Sequence, residues 1–218
     1  MKKIFTALFL SCVIILGACA VQGKILFRPA AENAFTVEPE HLLALNDITE
    51  TEDGRGNVNL PEWLLSFAYR GIEEVEKMDF FSGKYCFIVR NKGSNFDALK
   101  KWAENYSAAR DFSRLAAARI EKRLISAASL YPDDEYGSFY EMLVKKAFGA
   151  EYPGAVKEDT YWIKTEDAYE FFVLVSIDIA SMREIVGNMM ADILVLITPT
   201  RTQRAAINRL QQIFFEGF

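Results

Sequence analysis

Two apolar segments joined by a short polar link constrain the fold of this chain more than any other feature. Residues 160–164 and 169–177 are predicted to be strands, and residues 165–168 have the length and composition of a hairpin turn. Alternate positions of the second strand share one face: Tyr169, Phe171, Val173, Val175 and Ile177. A third strand, residues 84–90, is apolar on both faces, which predicts a central strand or one covered by helices.

Helical patterns surround these strands. Apolar and small residues recur at steps of three and four over residues 94–130 without Gly or Pro, which predicts one unusually long helix. Ser94, with Asp97 three positions on, has the spacing of a capping box. Further helices are predicted over residues 135–148, over 180–196, and from Thr200 or Thr202 towards the C-terminus.

The order β-α-α-β-β-α, with one more helix at the C-terminus, predicts an α+β fold. Its simplest form is a small three-stranded antiparallel sheet covered by long helices. The 218 residues, 51% hydrophobic and 25% charged, suit one globular domain, which we place at residues 59–218.

Residues 1–18 have the composition of a leader peptide. Lys2 and Lys3 precede an apolar run over residues 4–16, which is shorter than the roughly 20 residues that span a bilayer and fits a signal peptide. Loss of the two lysines with the leader changes the net charge from -5 to -7. A chain this acidic is not expected to bind nucleic acid.

The apolar run ends in a motif that resembles the bacterial lipobox: Leu16, Gly17, Ala18 and Cys19. The resemblance implies cleavage between Ala18 and Cys19, diacylglyceryl transfer to the Cys19 thiol, and fatty acylation, as with palmitate, of the new amine. Two or more acyl chains give a stable membrane anchor. Ala20 resembles an outer-membrane rather than an inner-membrane address. The alternative is an ordinary signal peptide with Ala18-Cys19-Ala20 as an A-x-A cleavage site.

Residues 19–58 are interpreted as the lipidated N-terminus and a polar spacer, because the acidic composition of residues 32–57 leaves little to bury. The only histidine, His41, lies here without a partner ligand at helical or turn spacing, so no metal site is expected. Of the three cysteines only Cys86 belongs to the body, which therefore has no internal disulfide.

Several patterns occur together in the body: Pro61 and Trp63 at its start, the strand at 84–90, the alanine-rich helix, and Tyr161-Trp162-Ile163. With the lipobox, they resemble the LPP family of twenty-kilodalton lipoproteins, which includes a flagellar outer-membrane lipoprotein. The resemblance covers roughly residues 59–195. It implies long helices paired with a small antiparallel sheet and a role in the cell envelope, in flagellar or motility support. It transfers no functional residue except the lipidated Cys19.

The body shows no catalytic or cofactor-binding pattern. Cys86 lies within an apolar strand, where a thiol is normally inert, and the only imidazole is in the spacer. Two carboxylate pairs are typical of solvated surface: Glu73-Glu74 and Asp133-Asp134. No G-x-G-x-x-G or P-loop pattern occurs. We therefore expect a protein that is not an enzyme and uses no cofactor or metal.

Three groups of residues leave alternatives open. The long helix has a basic side, which we expect to face solvent; the alternative is a contact with acidic lipids or a partner. Its residues are Arg110, Arg114, Arg119, Lys122 and Arg123. C-terminal apolar residues predict docking on the domain's own core or on another subunit: Ile213, Phe214, Phe215 and Phe218. Three methionines are predicted to lie in the core, and the alternative is that they line a binding groove: Met182, Met189 and Met190.

The sequence leaves two functions open. The first is a membrane-anchored, non-catalytic lipoprotein that acts through protein contacts or self-assembly in the cell envelope, as a homo-oligomer or with an envelope or flagellar partner. The second is a periplasmic or outer-membrane carrier of an apolar ligand such as a lipid. A carrier needs a closed apolar cavity, whereas an assembly protein needs an exposed strand edge or apolar helix face.

Overall fold

A computed structural model describes residues 48–55, 60–166 and 168–217. The predicted leader, its cleavage site after Ala18, the lipidation site Cys19 and His41 lie outside these residues. No helix in the described part of the chain is both long and apolar enough to cross a membrane.

The strands form one antiparallel sheet in the order β2-β1-β4-β5-β3. Its members are β1 (Ile48–Thr51), β2 (Gly54–Arg55), β3 (Lys84–Gly93), β4 (Val156–Thr165) and β5 (Tyr169–Asp178). The predicted hairpin is confirmed, because β4 and β5 pair along their length and the Thr165 N–H donates to the Ala168 carbonyl across the turn.

Seven α-helices and one short 3-10 helix (Asp79–Phe81) fill the rest of the described chain. The α-helices are α1 (Glu62–Arg70), α2 (Ile72–Val75), α3 (Phe96–Asn105), α4 (Ser113–Ser129), α5 (Phe139–Phe148), α6 (Ile179–Leu196) and α7 (Arg201–Glu216). Thr200 caps α7 in a capping box with Gln203, which decides between the two predicted starts.

The central strand β5 is apolar on both faces. Phe171, Val173, Val175 and Ile177 point into a large core, whereas Phe172 and Leu174 point into a small core on the opposite face. Helices α3 to α7 contribute to the large core, and α1 and α2 to the small one. The helices therefore cover the sheet on both faces, as a strand buried on both faces requires.

The predicted strand count is wrong, although the α+β class is confirmed. Residues 48–55, part of the predicted spacer, add β1 and β2 to the three predicted strands. Strand β1 is polar in sequence and pairs through its backbone with β4, so no apolar pattern marked it; Thr51 is nevertheless buried. Strand β3 is an edge strand covered on both faces, not a central one.

The predicted long helix over 94–130 is also wrong, because it is divided at residues 106–112 into α3 and α4. The Asp111 carboxylate accepts the Ser107 N–H at 2.7 Å, a local bond that competes with helical pairing. Phe112 turns inward and is fully buried, with its ring 4.9 Å from Phe87 and 5.1 Å from Tyr152. The helix begins with Asn95 as its cap rather than Ser94.

The C-terminal apolar residues dock on the domain's own core. Phe214 is fully buried, Ile213 and Phe215 pack against the large core, and the Arg123 Nε donates to the Phe214 carbonyl at 3.2 Å. Phe218 lies outside the described residues. The methionines at 182, 189 and 190 are all buried in the same core, as predicted.

Replacing Phe112 with Ala should lower the free energy of unfolding by about 3–5 kcal/mol, because it leaves a cavity between β3 and the segment around Tyr152. Urea denaturation followed by circular dichroism measures this loss. The matched control is Tyr69→Ala, because Tyr69 is 67% exposed and its loss should change stability by less than about 0.5 kcal/mol. Equal effects of the two substitutions would contradict the assigned packing.

Candidate functional site

An open cleft of about 430 Å³ runs beside the part of β4 that β1 leaves unpaired. Strand β1 pairs only with residues 163–165, and the Glu52 N–H then donates to the Trp162 carbonyl at 3.3 Å. In the described part of the chain, residues 157–160 therefore have β5 on one side and the cleft on the other.

Aromatic side chains form the floor of the cleft. Asn95 caps α3 and places Phe96 over the hairpin, where Trp162 and Phe171 are register partners. The ring centroids lie 5.0 Å apart for Phe96 and Trp162, and 5.4 Å apart for Phe96 and Phe171. These edge-to-face and tilted contacts are the arrangements that aromatic rings favour. The floor is therefore preformed.

Strand β4 is fixed to the end of α3 by a lysine. The Lys157 Nζ donates to the carbonyls of Ala103 and Glu104, each at 3.0 Å. A cation at these carbonyls satisfies acceptors that a helix leaves free at its C-terminus. Lys157 is thus held by α3, and Lys100 and Glu104 of that helix line the same side of the cleft.

Two carboxylates cap the unpaired edge of β4. Asp159 follows an irregularity in the β4–β5 register and accepts the Thr160 N–H and the Trp63 Nε1–H, both at 2.8 Å. Burial and the negative charges of Asp159 and Asp53 raise the pKa of Glu52, whereas its hydrogen bond with the Trp162 backbone and the charge of Lys100 act in the opposite direction.

The pKa of Glu158 is shifted in the opposite direction from that of Glu52. Burial acts to raise its pKa, but hydrogen bonds from Ser176 and from Lys84, whose Nζ lies 2.9 Å away, outweigh burial and lower it. The small-core face of β4 therefore carries one carboxylate that is neutralised in place, Glu158, beside Asp159, which has no basic partner within salt-bridge distance among the described residues.

A third carboxylate caps the opposite edge of the sheet. The Cys86 N–H donates to Glu76 at 2.9 Å instead of to β5, so the even-numbered residues of β3 direct their backbone groups away from the sheet. Ile88, Arg90 and Lys92 continue that outward row. No backbone hydrogen bond from their outward groups to another described element is present.

The exposed edge of β3 is basic. Lys92 is exposed, and the Arg90 Nε lies 2.9 Å from Glu170, which is only 5% exposed. Burial raises the pKa of Glu170, and the charges of Arg90 and Lys92 partly offset this. The sheet thus has a basic edge at β3, and it has carboxylates along the part of β4 that β1 does not pair with.

The remaining predicted candidates are engaged in structural contacts. Cys86 is fully buried, and burial with the charges of Glu76 and Glu158 raises its pKa to about 12, so its thiolate is strongly disfavoured. The basic side of the predicted long helix is largely paired: Arg119 binds Glu76, Arg123 binds the Phe214 carbonyl, and Arg114 lies over the Phe148 ring.

In each predicted carboxylate pair one residue is exposed, Glu73 or Asp133, and its neighbour forms an ion pair. Glu74 binds Arg70 and Lys77 at the surface, and Asp134 binds Arg209 in a bidentate pair. No group of His, Cys, Asp and Glu residues suited to a metal ion occurs among the residues that the structure describes.

A second open cleft, of about 580 Å³, lies between α6 and α7. Its lining mixes charged and amide side chains with Met190 and Phe215: Arg183, Gln211, Gln212 and Glu216. Both clefts open to solvent and carry charged groups, so neither has the closed apolar form that a lipid carrier needs.

No protein-family model, curated protein or solved structure matches this chain. The resemblance to the LPP family therefore stays a prediction from the sequence, and the geometry of the strand edges and clefts carries the functional argument.

Removing the charge of Glu52 and removing that of Glu158 should change the stability of the fold in opposite directions. Because the folded state raises the pKa of Glu52, its ionised form opposes folding at neutral pH, and Glu52→Gln should be more stable than the native chain. This advantage should disappear as the pH falls towards the ordinary pKa of 4.5.

Glu158→Gln should have the opposite effect on stability. Because the folded state lowers the pKa of Glu158, the ionised carboxylate stabilises the fold at pH values above its ordinary pKa. This variant should be less stable at neutral pH, and its deficit should shrink as the carboxyl protonates at low pH. Urea midpoints between pH 3 and pH 8 test both signs; a loss of stability in Glu52→Gln would overturn the assignment.

Proposed function

We propose that this chain is a bacterial lipoprotein anchored through acyl chains on Cys19, and that its folded domain acts through protein contacts in the cell envelope. The single observation that favours contacts over the carrier function is the outward row of β3 backbone groups at Ile88, Arg90 and Lys92. An unpaired strand edge binds an extended strand through main-chain hydrogen bonds.

The partly capped edge of β4 supports the same function. Among the described strands only β5 pairs with residues 156–160 of β4, and this stretch lies in a cleft with an aromatic floor. Side chains from opposite faces of the sheet flank it, with Lys100 from α3 on one and Trp63 from α1 on the other. A groove with a strand edge at its side suits an extended segment of a protein partner.

The carrier function has less support. The large core is filled by side chains from five helices and the sheet, and the two open clefts are lined by charged and polar groups. A role in flagellar or motility support rests on the LPP resemblance alone, and the outer-membrane address rests on Ala20 following Cys19.

The anchor is tested by Cys19→Ser in the full chain expressed in a bacterium that processes lipoproteins. The native chain should incorporate labelled palmitate, lose residues 1–18 and sediment with membranes, because two or more acyl chains anchor stably. The variant should retain its leader and incorporate no label. Mass spectrometry of the mature N-terminus reads both outcomes.

The matched control is Cys12→Ser, which removes the other cysteine of the leader region. It should leave lipidation and membrane retention unchanged. A native product that is water-soluble, has an unmodified Cys19 thiol or begins at another residue would contradict the proposed anchor.

A further inference from the structure

We propose that the partner at the open edge of β4 is the β3 edge of a second copy of this chain, joined head to tail so that the sheet continues from one copy to the next. The proposal rests on the proposed function and names the contact through which the anchored domain assembles.

Strand β3 has the groups that such a contact needs. The Cys86 N–H is held by Glu76 and α2 packs beside that end, so the start of the edge is closed. Beyond it, Ile88, Arg90 and Lys92 direct N–H and carbonyl groups outward. No backbone hydrogen bond to another described element occupies the outward groups of residues 88–92, so this stretch can pair with an extended strand.

Strand β4 supplies the opposite edge. Strand β1 does not pair with residues 156–160, and within the described part of the chain the Thr160 N–H donates to the adjacent Asp159 carboxylate. An incoming carbonyl can replace that local bond, because the freed Asp159 carboxylate remains at the edge. The hairpin of β1 and β2 limits the contact to these residues and so fixes where a second strand can lie.

The exposed edge of β3 carries basic side chains and that of β4 carries a carboxylate, so the two edges are complementary in charge. Cys86 and Trp63 belong to the small core, which places Arg90 and Lys92 of β3 and Asp159 of β4 on the same face of the sheet. With Arg90 of one copy beside Asp159 of the next, Lys92 lies beside Tyr161, whose hydroxyl donates to Asp53 at 3.2 Å. Lys92 and Arg90, whose Nε also contacts Glu170 of its own chain, then lie near Asp53 and Asp159 of the next copy.

The same charges oppose a two-fold dimer through β3. An antiparallel pair of β3 edges centred on Arg90 would place that residue opposite its own copy and add further positive charge from Lys92. Like charges directly opposite one another are destabilising. A head-to-tail contact also leaves a free β3 edge at one end and a free β4 edge at the other, so it produces a chain of copies and not a closed pair.

The test is disulfide trapping in the full-length, membrane-bound chain with the double variant Asn91→Cys and Thr160→Cys. In the proposed register these neutral, half-buried residues follow Arg90 and Asp159 and lie beside each other in adjacent copies. Within one chain they pair with different residues of β5, Phe171 and Val173, so they lie farther apart than two strand spacings, about 9.6 Å. That exceeds the roughly 7 Å limit for a disulfide, so a bond reports a contact between copies.

Mild oxidation should give dimers, trimers and longer products from the double variant, and monomers from each single variant. The control pair is Asn91→Cys with Glu141→Cys, because Glu141 is exposed on α5, away from both edges, and should give monomers only. Cross-linked dimers from Asn91→Cys alone would indicate two-fold pairing and overturn the proposal.

Monomers from the double variant would also overturn it. Because membrane retention is measured in the same sample, that result would leave the anchor and a contact with a different protein intact, and so separates failure of this inference from failure of the proposed function.

Charge reversal tests the complementarity directly. Adding Lys92→Glu to the trapping pair should reduce the cross-linked fraction about tenfold, as expected when a like charge replaces an attractive one at the contact. Adding Glu52→Lys as well should restore it, because the basic side chain then lies on the β4 edge. A cross-linked fraction that is insensitive to Lys92→Glu would contradict the proposed pairing of charges.

Discussion

Burial of β5 on both faces is the constraint on which the rest of the structure depends. Phe172 and Leu174 need a second layer of cover just as Phe171, Val173 and Val175 do, and an aliphatic or aromatic side chain left exposed forgoes about 1.5–3 kcal/mol. Five helices cover one face, whereas α1 and α2 cover the other. Strand β5 is therefore covered above and below by the described helices, and the backbone edges of β3 and β4 lie outside this cover.

A second constraint, that backbone donors need acceptors, determines which side chains lie at the edges of the strands. Three side-chain carboxylates meet that need where the sheet runs out: Glu76 for Cys86, Asp159 for Thr160 and Glu52 for the Trp162 backbone. Charged caps of this kind protect an edge from indiscriminate pairing. Among the described residues, the end of β3 has basic side chains in place of such caps, and we propose that their charge selects an acidic edge.

The sequence predicted the elements whose own side chains form the core. The β4–β5 hairpin, β3, α6 and the Thr200 cap follow from alternation, helical spacing and capping residues. Strand β1 was missed because backbone pairing with β4 places it, and its polar residues have no apolar alternation. The break before α4 was missed because burial of Phe112 between Phe87 and Tyr152 is a long-range contact.

The candidate site was less accessible to prediction. The lipidation motif at Cys19 is local in sequence, but the cleft joins residues from the β1–β2 turn, α3 and β4 that are distant in the chain. One local signal was available: Lys157-Glu158-Asp159 places three consecutive charges at the start of a strand, which is how natural sheets mark an exposed edge.

Amide hydrogen exchange of β3 in the membrane-bound chain tests the central claim, that this edge makes the protein's contacts, most directly. In the isolated folded domain the N–H groups of Phe87, Val89 and Asn91, which face β5, should exchange slowly, and those of Ile88, Arg90 and Lys92 rapidly. At the membrane the outward set should become slow as well. Rapid exchange of Ile88, Arg90 and Lys92 in both states would contradict the account.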